Sequence, residues 1–62
     1  MNYRYHIKVL GAVGLTDITI EADDIQFHGG SVVFVEDCGS HWEKLQVYPA
    51  SRTAIVNIEY LK

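Results

Sequence analysis

Asp24-Ile25-Gln26-Phe27-His28-Gly29-Gly30-Ser31-Val32-Val33-Phe34-Val35 decides the fold. Two runs rich in β-branched and aromatic residues flank a Gly-Gly pair. Glycine reaches the positive φ of a two-residue hairpin turn without a Cβ clash. With Gly29 and Gly30 as the turn, His28 stands opposite Ser31, Phe27 opposite Val32, Gln26 opposite Val33 and Ile25 opposite Phe34. One face then carries Ile25, Phe27, Val32 and Phe34, and the other Gln26, His28, Val33 and Val35. A slip of one residue would mix the two sets, so the apolar pattern specifies the register.

The next apolar run, Lys44-Leu45-Gln46-Val47-Tyr48, extends the hairpin. Pairing Phe34 with Leu45 and Val32 with Val47 adds two apolar residues to the same face. Asp37-Cys38-Gly39-Ser40-His41-Trp42 is left as a loop of turn-forming composition. The result is a three-stranded antiparallel meander. Its middle strand, Val32 to Val35, is apolar on both faces, the pattern of a strand covered on both sides.

Outward from the meander the chain stays extended. Tyr3 to Leu10 alternates, with Tyr3, Tyr5, Ile7 and Val9 on one side and Arg4, His6 and Lys8 on the other. Leu15 to Ala22 places Ile18, Ile20 and Ala22 inside. Between them, Gly11-Ala12-Val13-Gly14 reads as a flexible connection. It is no phosphate loop, because neither Gly-Lys-Ser/Thr nor a helical period follows. Asp23-Asp24 is either a tight turn or the bend of one long strand, a device that closes small barrels. Pro49 cannot donate to a ladder and ends its strand. Pro49-Ala50-Ser51-Arg52 suits one 3₁₀ turn. The last strand, Thr53 to Leu61, sets Ala54, Val56, Ile58 and Tyr60 on one face and Ile55, Asn57 and Glu59 on the other. No segment has a helical period. The expected fold is all-β: one domain over 1–62, with five to six strands in a small antiparallel meander that closes into a barrel or a strongly bent sheet.

Composition narrows the function. A domain of 62 residues buries only roughly 60% of its unfolded surface, so self-association or a metal would help to hold it together. The single cysteine, Cys38, allows no internal disulfide, which suits the reducing cytoplasm. Neither a signal peptide nor a stretch long enough to span a membrane is present, so a soluble cytoplasmic protein is expected. A net charge of -3 argues against ordinary nucleic-acid binding, where lysine and arginine neutralise phosphates.

The bent second strand from Thr16 to Asp24, Gly29-Gly30-Ser31-Val32-Val33-Phe34, Val47-Tyr48-Pro49-Ala50 and Val56-Asn57-Ile58-Glu59 together resemble the SH3-like small barrels, in the style of small phage and prophage proteins. That resemblance covers most of the chain. It implies a non-enzymatic adaptor, structural part or inhibitor of host machinery.

Several residue groups are candidates for chemistry. Cys38-Gly39-Ser40-His41 has a spacing that could place a thiolate and an imidazole on one zinc ion, with His6 and His28 completing a tetrahedron. The second paired motif of a zinc site is missing, so no cofactor is assigned. A Cys–His nucleophile would need an orienting group and a cleft, for which so short a β domain has little room, and no catalytic residue is assigned. Asp17, Glu21, Asp23 and Asp24 do not match a calcium loop. Without an interspersed lysine or arginine, they form an acidic surface that could imitate nucleic-acid phosphates. Arg4, His6, Lys8, Lys44 and Arg52 are the corresponding candidates for phosphate contacts, should the chain form an RNA-binding oligomer. The favoured reading is protein binding, to a foreign partner or to a second copy. Val33, Val35, Trp42 and Tyr48 are the expected anchors on the face opposite the core, with Lys44 and Gln46 at the rim.

Overall fold

In the computed structural model, which describes residues 2–61, Gly29 and Gly30 turn the chain at φ 52° and 83°. The strands they join, β3 (Asp24–His28) and β4 (Ser31–Asp37), pair in the register expected from the sequence, Ile25 with Phe34 through His28 with Ser31. Before them come β1 (Tyr3–Gly11) and β2 (Gly14–Ala22). After them come β5 (Trp42–Pro49), a 3₁₀ turn over Ala50–Arg52, and β6 (Thr53–Tyr60). The described residues thus form two three-stranded antiparallel sheets, ordered β2-β1-β6 and β3-β4-β5. They are not joined into a closed barrel, and no pairing connects β5 to β6.

One residue, Asp23, separates β2 from β3, so the bent strand is the reading found at Asp23-Asp24. Asp23 donates its N–H to the Val35 carbonyl at 2.9 Å. Its carboxylate accepts the N–H of Asp37 at 2.7 Å and of Asn2 at 3.0 Å. The bend is therefore fastened both to the end of β4 and to the entry of β1. The Asp37 N–H is the main reason the Asp23 carboxyl titrates below the ordinary aspartate range. A depressed folded pKa stabilises the fold above the unfolded value, and that contribution is lost as pH falls through the folded value. Asp23→Ala should therefore lower the urea midpoint at neutral pH. The gap from wild type should close on acidification, once the wild-type carboxyl is protonated as well. A gap independent of pH would contradict the role given to the carboxylate.

The core lies between the sheets. Tyr5, Ile7, Ile20 and Ala22 come from the first sheet, and Val32 and Phe34 from the second. Phe34 is wholly buried and meets Tyr5 and Tyr48 edge-on, with ring centroids 5.4 and 6.1 Å apart.

Two registers differ from expectation. Val32 pairs with Tyr48 and Phe34 with Gln46, rather than with Val47 and Leu45. Leu45 is the extra residue of a bulge, which lets it pack on the core beside Tyr48, while Val47 turns outward opposite Val33. In β6 a second bulge leaves Val56 out of the ladder. Ile55 then stands opposite Ile7 and Ile58 opposite Tyr5, while Ala54 stands opposite Lys8, so the expected set of Ala54, Val56, Ile58 and Tyr60 is split between faces.

Candidate interaction surface

The six expected anchor and rim residues do not share one face. Val33 and Val35 are 3% and 1% exposed. Each lies between flanking strands, Val33 between Gln26 and Val47 and Val35 between Asp24 and Lys44. Tyr48 packs on the core with Phe34, a consequence of the shifted β4–β5 register. Gln46, opposite Phe34, follows Tyr48 to that side. Of the six, only Trp42 and Lys44 remain as exposed side chains on the outer face of this sheet.

The acidic surface is also divided. Asp17 pairs with Lys8 at 3.3 Å and Glu21 with Arg4 at 3.2 Å. Asp23 holds the bend, and Asp24 accepts the N–H of Ile25 at 2.8 Å. Arg4 also reaches Glu59 at 3.9 Å, and His6 bonds the other oxygen of Glu59. Such exposed pairs contribute little stability, about 0–1 kcal/mol each, but they cancel the local field. The carboxylates of β2 and the cations of β1 neutralise each other across the ladder.

The expected metal ligands separate as well. His6 is engaged with Glu59, and His28 with Gln26. His28 and Cys38 flank opposite ends of the seven-residue β4, roughly 23 Å apart at about 3.3 Å per residue. Cys38 and His41 do converge, and Glu43 joins them. The Cys38 thiol is held above its ordinary range by loss of surrounding water and by the charges of Glu43, Glu36 and Asp37.

What the structure leaves open is β6. Among the described residues it pairs only with β1. Ile58 and Tyr60 lie on the core side, opposite Tyr5 and Tyr3, yet they are 50% and 65% exposed. Val56 is 58% exposed, and Ile55, opposite Ile7, keeps 37% of its surface exposed. The other sheet edges carry features that discourage pairing. β2 bears Asp17 and Glu21, β3 is five residues long and begins with Asp24, and β5 bears Glu43, Lys44, a bulge and Pro49. β6 has a bulge but only one charge, Glu59, which Arg4 and His6 already engage. That scarcity of charge in Thr53–Tyr60 is the sequence signal that could have marked this strand. A second apolar patch, Leu10, Val13 and Leu15, caps the β1–β2 hairpin, where Gly11 pairs with Gly14 around a tight turn instead of a flexible connection.

Comparison with known proteins finds no matching family model, no matching curated protein and no matching solved structure. Among the described residues no helix is long and apolar enough to cross a membrane.

Proposed function

We propose that this protein is a non-enzymatic protein-interaction module, an SH3-like barrel left open between β5 and β6, whose first partner is a second copy of itself joined through β6. The observation that carries this reading is an edge strand with free backbone groups and uncovered Ile55, Val56, Ile58 and Tyr60. Strand addition satisfies the backbone groups and covers the apolar side chains in one step. Self-pairing also suits the charges. A two-fold axis at Ile58 sets Glu59 opposite Asn57 of the second copy, so like charges do not meet, and the same patch serves both chains. The SH3-like reading is supported by the strand order, by the single strand bent at Asp23 and by the 3₁₀ turn before β6. In the role that resemblance implies, the dimer serves as an adaptor or inhibitor acting on a host protein in the cytoplasm.

RNA binding is less well supported, because Arg4 and Lys8 already face carboxylates. Native mass spectrometry of the untagged protein across a concentration series tests the proposal. A dimer that dissociates on dilution is expected, and a monomer at every concentration would overturn the proposal.

A further inference from the structure

We propose that the β4–β5 loop binds one zinc ion through Cys38 Sγ, a ring nitrogen of His41 and a carboxylate oxygen of Glu43. These three donor atoms lie within 4.8 Å of one another. The loop itself brings them together. Cys38 donates its N–H to the His41 carbonyl at 2.9 Å, and Ser40 donates to the Cys38 carbonyl at 3.2 Å. Gly39, at φ 86°, donates to Asp37 Oδ1 at 2.9 Å. Trp42 then opens β5, so Glu43 returns beside Cys38, with its oxygen 3.8 Å from Sγ. The Ser40 hydroxyl, 3.3 Å from His41 Nδ1, steadies the ring.

A second feature points to a cation. Glu43 stands directly opposite Glu36, a cross-strand pair of like charge that is unfavourable by itself. Asp37 is next in the chain, and among the described residues no lysine or arginine forms an ion pair with any of the three. A bound cation would relieve that repulsion.

The donor set selects the metal. Thiolate and imidazole favour zinc over calcium or magnesium, which take oxygen ligands. At zinc–sulfur and zinc–nitrogen lengths of about 2.3 and 2.0 Å, sulfur and nitrogen must approach to about 3.5 Å. The exposed side chains can do so by changing rotamer. Three protein ligands and a water complete a tetrahedron. On binding, the Cys38 thiol releases its proton to solvent, sulfur keeps the electron pair and donates it to zinc, and no electron is transferred. The β6 proposal and this one stand on separate residues, and neither result decides the other.

The test uses untagged protein under a phosphine reductant. Cobalt is titrated first, because a cobalt–thiolate bond gives a near-ultraviolet charge-transfer band. Cobalt should also quench Trp42, the only tryptophan, which sits between two of the ligands. Zinc should displace cobalt at one equivalent and restore the emission, and calorimetry in two buffers should record about one proton released per zinc. Cys38→Ser should abolish the band. His41→Gln and Glu43→Gln should each weaken zinc binding by more than the roughly tenfold lost when an outer partner of a ligand is removed. His6→Gln and His28→Gln should change nothing. No saturable response with metal in excess would overturn the proposal, as would affinity unchanged in all three ligand variants or lost in the His6 or His28 variants.

Discussion

Phe34→Ala is expected to leave the domain largely unfolded. Phe34 is fully buried at the centre of β4 and touches aromatic residues of both sheets, Tyr5 in β1 and Tyr48 in β5. Deleting a buried phenylalanine side chain costs about 3–5 kcal/mol, as lost transfer energy plus the cavity left behind. A chain of this length has only about 3–9 kcal/mol in total, at about 0.05–0.15 kcal/mol per residue. No disulfide ties the two layers together, since the single cysteine is free. The measurement is urea unfolding followed by circular dichroism. The variant should show no native baseline, or a midpoint close to zero denaturant. A cooperative transition near the wild-type midpoint would mean that the two sheets do not depend on this side chain.

Ile58→Lys is expected to convert the dimer to monomer without unfolding it. Ile58 is half exposed in the single chain, so covering the rest is worth about 1 kcal/mol. A two-fold interface loses that twice, about 2 kcal/mol, which is roughly thirtyfold in the dissociation constant at about 1.4 kcal/mol per tenfold. The lysine adds two ammonium groups facing each other near the axis, which weakens pairing further. Edge lysines are a common device by which natural sheets resist pairing. Sedimentation equilibrium should show monomer at concentrations where wild type is dimeric, with β-sheet circular dichroism unchanged. A variant as dimeric as wild type would remove β6 from the interface.

The parts of the fold that could be read from sequence are those where turn chemistry and period agree. The Gly29-Gly30 hairpin came out residue by residue, because a two-residue turn leaves one register and Ile25, Phe27, Val32 and Phe34 alternate through it. The 3₁₀ turn after Pro49 is legible for a similar reason, whereas Asp23-Asp24 leaves a tight turn and a bent strand equally open in the sequence. Bulges were not. Leu45 and Val47 are both apolar, so period-two counting sets both on the core face; the extra residue of the bulge keeps Leu45 there and exchanges Val47 for Tyr48. Val56 shifted the faces of β6 in the same way.

The candidate surface was harder to read, because exposure depends on what lies across the gap. Val33 and Val35 are expected as open anchors but are buried, whereas Ile58 and Tyr60 stand opposite Tyr5 and Tyr3 and are half or more exposed. The acidic run contains no lysine or arginine, yet Arg4 and Lys8 reach it from the next strand.

Hydrogen exchange of the β6 amides, read residue by residue in concentrated and in dilute samples, is the most direct test. Pairing with a second copy predicts that amides within Thr53–Tyr60 that do not bond β1 are protected at high concentration and exchange freely on dilution, while the edges of β2, β3 and β5 stay unchanged. Fast exchange of those β6 amides at every concentration would contradict it.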